Sequence, residues 1–214
     1  MAHLLITSGP TRQYLDPVRF LTNASSGRMG QALSEAALQA GHRVTIISGP
    51  VEVRYPEAAE VVWVTTTDEM LEAARRLFPK CDGAIGVAAP CDYRPERVEP
   101  RKISKTGEPL VLHLVETPDV IAELGQHKRP DQWVVAFALE TDDHRFRALR
   151  KLEQKHCDLI VVNGASAIQA EDTSVAVIDG SGEVLLEASG GKPEVAGQIV
   201  GLLERRLIGG RHAP

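Results

Sequence analysis

The residues best suited to chemistry lie near the N-terminus, where residues 9–30 read GPTRQYLDPVRFLTNASSGRMG. Ser25-Ser26-Gly27-Arg28-Met29-Gly30 runs straight into a segment in which Met29, Leu33, Ala36, Ala37 and Ala40 recur at helical spacing. The first N–H groups of a helix have no partner within it, and the helix dipole adds partial positive charge, so this arrangement suits an anion such as a phosphate. Gly27 and Gly30 let a ligand or the sheet come close to the backbone, while Ser25 and Ser26 add hydroxyl donors. A plain serine cap followed by two packing glycines accounts for the same residues.

Three further segments carry usable groups. In Ala88-Ala89-Pro90-Cys91-Asp92-Tyr93-Arg94-Pro95, Asp92 suits a metal-bound triphosphate or a base edge, or else an Asx-turn. Cys91 has no evident His partner and reads as an ordinary small residue. Arg101-Lys102-Ile103-Ser104-Lys105-Thr106-Gly107 puts cations where charge develops on a phosphoryl group, or on a solvated hairpin tip. Arg147, Lys151 and Lys155 share one helix face, where an anionic ligand or solvent would offset their repulsion.

The elements that must position these groups alternate between strand and helix. Strand patterns occur at His3–Ser8, Arg43–Ser48, Val61–Thr66, Ala84–Ala89, Val134–Leu139 and Leu159–Asn163. Between them lie a long loop to Ser26 and helices at Gly27–Ala40, after a Thr67 cap, after Thr117-Pro118 with Thr117 as cap and Pro118 at the first helical position, and at Asp143–His156 with Phe146, Leu149 and Leu152 inward. Residues 94–116 read as a β-hairpin flap outside the main sheet. A hairpin of Val175–Asp179 and Val184–Glu187 and a helix over Lys192–Leu207 end the chain. The expectation is one α/β domain over residues 1–214, a Rossmann-like, mostly parallel sheet flanked by helices. Ligands in such sheets bind beyond the carboxyl ends of the strands, at 9–26, 49–50, 89–94, 140–143 and 163–168.

Composition removes other classes. In 214 residues, 24 Lys plus Arg face 29 Asp plus Glu, a net charge of -5 that gives no general attraction to nucleic acid or membrane. Cys81, Cys91 and Cys157 form no C-x-x-C pair, which fits a reducing cytoplasm better than a disulfide framework. The first residues read as a strand, not a signal peptide, and no apolar run is long enough to span a bilayer. The alternative, an NAD(P)- or flavin-binding oxidoreductase, expects its glycines directly after strand one and an acid after strand two; here a long insertion intervenes and strand two ends at Ser48-Gly49-Pro50. Gly191-Lys192 is followed by Pro, so it is no P-loop.

Taken in order, the 8–30 segment, Asp92-Tyr93-Arg94-Pro95, Lys102-Ile103, Pro118-Asp119, Phe137-Ala138-Leu139-Glu140-Thr141 and Lys151/Lys155 resemble the phosphopantothenoylcysteine synthetases, the phosphopantothenate–cysteine ligases of coenzyme A biosynthesis, over nearly the whole chain. The resemblance implies activation of 4′-phosphopantothenate by a nucleoside triphosphate with Mg²⁺, CTP favoured over ATP, and then attack by cysteine. It implies catalytic roles for Asn23, which converts the acyl-nucleotide, and Lys102, which forms it. It places the nucleotide at Ala88, Asp92, Pro118, Asp119, Val120, Ile121, Phe137, Lys151 and Lys155, and phosphates around Gly9, Thr11, Ser25, Ser26 and Gly27. It also implies a homodimer, no flavin in this chain, and either a free-standing ligase or the second half of a fusion. Departures at Pro90-Cys91, Ser104 and Gly164 leave base preference open.

Overall fold

Leu4, Leu5 and Ile6 of β1 (His3–Ser8) are all fully buried, although successive side chains of a strand point to opposite faces. A strand buried on both faces belongs in the middle of a sheet covered on both sides. The computed structural model, which describes residues 1–140, 144–164 and 172–209, places β1 there. β1 pairs in parallel with β4 (Arg43–Ser48) on one side and β6 (Gly83–Gly86) on the other. β5 (Glu60–Trp63) lies beyond β4, and β9 (Trp133–Glu140) and β10 (Leu159–Gly164) lie beyond β6, all parallel. β11 (Asp172–Asp179) and β12 (Val184–Gly191) close that edge as an antiparallel hairpin. The order is β12-β11-β10-β9-β6-β1-β4-β5.

Helices cover both faces, as the sequence leads one to expect. α1 (Arg28–Gln39) and α5 (Lys192–Leu203) pack Leu33, Ala37, Ile199 and Leu203 against Leu4, Ile6, Ile46 and Val161. α2 (Thr67–Leu77), α3 (Val120–His127) and α4 (His144–Gln154) pack Met70, Ala74, Leu124 and Leu152 against Leu5, Ile47, Val134 and Ile160. A π-helical turn, Glu204–Ile208, continues α5. All three cysteines are buried. Burial pushes the Cys81 thiol up to about 11, aided by nearby Asp82, and the Cys157 thiol up to about 12.

Several local expectations are corrected. The loop after β1 contains a hairpin, β2 (Arg12–Asp16) and β3 (Arg19–Thr22), whose inward residues include the polar Gln13 and Asp16. The cap of α2 is Thr66, not Thr67: its hydroxyl accepts from Glu69 N–H while the Glu69 carboxylate accepts from Thr66 N–H. Thr67 is instead fully buried in a polar network. Asp119, not Thr117, caps α3, accepting from the N–H groups of Ile121 and Ala122. Phe146 is 60% exposed, and Ala148 takes the inward position. Residues 94–116 do leave the main sheet, on a short ladder of β7 (Tyr93–Pro95) with β8 (Leu114–Glu116). Thr141, Asp143 and residues 165–168 lie outside the described residues.

α1 is seated close to β1 because Gly30 has no side chain. A Cβ there would overlap Ser8 Oγ and stand 2.6 Å from Ser8 Cβ. Gly30→Ala must therefore push α1 off the strand end, and we expect a loss of roughly 1–3 kcal/mol in denaturant unfolding.

Candidate active site

Chain direction across the sheet reverses beside β1: the connection from β1 leads to β4, whereas β6 adds on the opposite side. A crevice opens at such a point beyond the strand ends. Here the two loops that leave it are joined. Ala89 N–H donates to Gly9 O at 2.9 Å, and Cys91 N–H donates to Thr11 Oγ1 at 2.8 Å. Gly9 adopts φ 73°, the left-handed conformation that favours glycine, which turns the chain into the hairpin.

Above this junction lies a cleft of 560 Å³. Its walls are Asn23 to Gly30, Val87 to Pro90, Asp92, Phe137 to Leu139, Lys151, Lys155, Asn163 and Lys192. A 320 Å³ extension, sharing Ala88, Pro90, Asp92, Phe137 and Lys155, runs over Thr117 to Ile121. At the opposite rim, Asn23, Ser25, Ser26 and Arg28 also face a hollow of 450 Å³.

The α1 end of the cleft is built for negative charge. Its cap residue is Gly27, with φ 75° and no side-chain hydrogen bond, and no acidic residue occupies the first turn. Among the described residues, no side chain caps the first N–H groups of α1. Asn23 is anchored across the cleft floor, donating from Nδ2 to Pro90 O at 2.9 Å and, longer, to Ala89 O at 3.4 Å. In the extension, Lys155 Nζ meets Asp119 Oδ2 at 2.7 Å. Burial works against charge on Asp119, but Lys155 and the two α3 N–H bonds outweigh it and hold the carboxyl below its usual value.

Most sequence-derived candidates meet here: Asn23, Ser25, Ser26, Gly27, Ala88, Asp92, Phe137, Lys151 and Lys155 line the cleft, and Pro118, Asp119, Val120 and Ile121 its extension. Three do not. Gly9 lies beneath the floor against Val51. Thr11 is fully buried, its hydroxyl engaged by Cys91 N–H and Thr67. Lys102 is exposed and lines a separate 780 Å³ hollow under the flap. The cleft also takes in Lys192, set aside in the sequence as part of no P-loop, and Asn163, which the sequence places only within the 163–168 segment beyond a strand end. Lys192, 9% exposed, opens α5 at the cleft wall, and Asn163, the penultimate residue of β10, lines the same cleft. A lysine directly after Gly190-Gly191 at a helix start was the available signal for the first.

Comparison with known proteins identifies the family of the chain. Residues 1–206 match the DNA/pantothenate metabolism flavoprotein C-terminal domain. The chain belongs to that family. Coenzyme A biosynthesis bifunctional protein CoaBC of Bacillus subtilis is 43% identical over 180 residues, covering 82% of this chain and 44% of that protein. The chain spans about half the length of the curated relatives it matches. The crystal structure of a CoaBC C-terminal domain superposes with a TM-score of 0.83 at 36% identity, covering 97% of this chain and 96% of that one. The Cab2 H337A variant, in complex with phosphopantothenate-cysteine, shares the fold at a TM-score of 0.77 and 16% identity, covering 98% of this chain and 88% of that one.

For this family member, the Lys155–Asp119 pair yields a pH expectation. The folded-state pKa of Asp119 lies below its ordinary 3.8, so its stabilising contribution is complete above that value and fades as pH falls through the lower one. Asp119→Asn keeps a competent helix cap. Unfolding free energies measured from pH 7 to pH 2 should therefore differ between the two proteins at neutral pH and converge at the acid end.

Proposed function

We propose that the chain is a phosphopantothenate–cysteine ligase acting in coenzyme A biosynthesis through an acyl-nucleotide, with CTP favoured as the activating nucleotide. A carboxylate oxygen of 4′-phosphopantothenate attacks the α-phosphorus, the bond to the β-phosphate breaks, and pyrophosphate leaves. The cysteine amine then attacks the acyl carbon, the nucleoside monophosphate leaves, and the amine proton is released. The observation that carries this reading is the continuity of the cleft. A nucleotide-sized extension at Pro118–Ile121, Phe137 and Lys155 opens directly onto Asn23 and the uncapped start of α1. Chemistry of this kind needs positioning and charge stabilisation more than covalent help from the protein.

In this reading the base and ribose lie in the extension, and the phosphates lie along Ser25 to Gly27. Gly9 and Thr11 support that cradle from beneath. Asn23 keeps its short bond to Pro90 O and turns the donor of its 3.4 Å bond toward the acyl oxygen as that becomes an oxyanion. Lys102 reaches the cleft when the flap closes over bound substrates. No cluster of three or more His, Cys, Asp or Glu side chains occurs among the described residues. Mg²⁺ would therefore be held mainly by the nucleotide's own phosphates, with Asp92 as the cleft carboxylate, and would supply charge neutralisation there. Exposed Val98, Leu110, Val111 and Leu114 on the flap, and Val18 and Phe20 on the hairpin, favour a homodimer. No helix among the described residues is long and apolar enough to cross a membrane, and a cytoplasmic location fits the proposed substrates.

With 4′-phosphopantothenate, cysteine and Mg²⁺, the protein should release pyrophosphate, faster with CTP than with ATP. No release with either nucleotide, or a purified protein that is yellow with bound flavin, counts against the reading. Asn23→Asp should accumulate acyl-nucleotide, whereas Lys102→Gln should fail to form it, each lowering turnover by roughly 10²-fold or more. Mass spectrometry of quenched single turnovers separates the two outcomes.

A further inference from the structure

The 450 Å³ hollow beside Asn23 is chemically unlike its surroundings. Among the described residues no carboxylate lines it, although the protein as a whole carries a net charge of -5. Two arginines do, Arg12 from the start of β2 and Arg28 from the start of α1. Elsewhere Arg19, Arg75, Arg94, Arg97 and Arg129 each meet an Asp or Glu. Arg12 and Arg28 meet none among the described residues; the same holds for Arg54, Arg76 and Arg101, and what sets Arg12 and Arg28 apart is that they line one hollow together. Arg12 is nevertheless held in place: its guanidinium lies 4.5 Å from the centre of the Phe20 ring, and its backbone N–H donates to Thr65 O at 2.7 Å. Ser25 and Ser26 put two hydroxyls on the same wall.

We propose that this hollow is a second anion subsite, in which Arg12 and Arg28 bind a phosphate group carried by a substrate. Two guanidinium forks match the charge and geometry of a phosphate dianion better than those of a single carboxylate. Asn23, Ser25, Ser26 and Arg28 form the rim shared with the main cleft, so a ligand can react beside Asn23 while its phosphate lies in the hollow. The assignment to a reaction substrate rests on the ligase reading. Two phosphates then fit: the departing pyrophosphate end of the nucleotide, or the phosphomonoester of 4′-phosphopantothenate.

The test uses the full chain and the variants Arg12→Gln, Arg28→Gln and Arg28→Lys. Arg28 is exposed at the first helical position, so its variants should keep the wild-type unfolding midpoint, which guards against a folding artefact at Arg12. Inorganic phosphate and pyrophosphate, titrated calorimetrically, should each bind about tenfold or more weakly to both Gln variants, with partial recovery in Arg28→Lys. In turnover assays, a raised KM for nucleotide together with a raised pyrophosphate inhibition constant assigns the hollow to the nucleotide. A raised KM for 4′-phosphopantothenate, with unphosphorylated pantothenate unaffected, assigns it to the acyl substrate. Unchanged anion binding and unchanged KM values overturn the subsite, as does an effect confined to the KM for cysteine. If the wild type makes no product but binds phosphate in an arginine-dependent way, the ligase reading fails and the subsite stands.

Discussion

The hydroxyl of Thr11 holds together parts of the chain that are far apart in sequence. It accepts from Cys91 N–H at 2.8 Å and lies 2.8 Å from the Thr67 hydroxyl. Thr67 donates its own proton to Cys91 O and accepts from Gln13 Nε2, so Thr11 is the donor between the two threonines. Thr117 donates to the same Cys91 carbonyl at 2.6 Å. The β2–β3 hairpin, the start of α2, the turn after β6 and the approach to α3 are thereby fixed to one buried polar centre. Truncating a member of such a network strands its partners, at about 1–3 kcal/mol for each group left unpaired. The cleft has its shape because this centre is fully satisfied.

The same centre explains why parts of the chain were easier to read than others. Strands β1, β4 and β9 are apolar runs and helices α1 and α2 have clean periodicity, so their order follows from pattern alone. The β2–β3 hairpin was not legible because Thr11, Gln13 and Asp16 face inward, and a strand with polar residues inside resembles a loop in one dimension. The Thr67 and Thr117 caps failed for a related reason: both hydroxyls are recruited by Cys91, leaving Thr66 and Asp119 to close the helices. Phe146 was placed inward because helical spacing identifies a stripe without telling which edge of it faces solvent. At the site, the loops were legible as a set of motifs. Arg12 and Arg28 were not, because nothing in a sequence says which arginines line the same hollow.

The flap is more firmly rooted than its exposed tip suggests. Asp16, fully buried, accepts from the N–H groups of Val18, Arg19 and Ile103 and pairs with the Arg19 guanidinium, which in turn donates to Ile103 O. Burial disfavours its charge, yet these donors keep the carboxyl below its usual value. Glu99 N–H adds a bond to Leu15 O. The residue next to Lys102 is thus clamped on both its N–H and its carbonyl. Movement that brings Lys102 to the cleft must either carry the β2–β3 hairpin with it or release Ile103 from Asp16.

The burial of the three cysteines acquires a meaning once the second proposed substrate is itself a thiol. Disulfide exchange proceeds through the thiolate, and only through a sulfur that a partner can reach. Cys81 and Cys157 are held as thiols far above neutral pH, and Cys91, although it sits under the cleft floor, is enclosed and donates its S–H to Tyr93 O. Cystine, the disulfide that accompanies cysteine wherever it is oxidised, therefore finds no readily reached thiolate on this protein with which to form a mixed disulfide. That shielding comes from the packing.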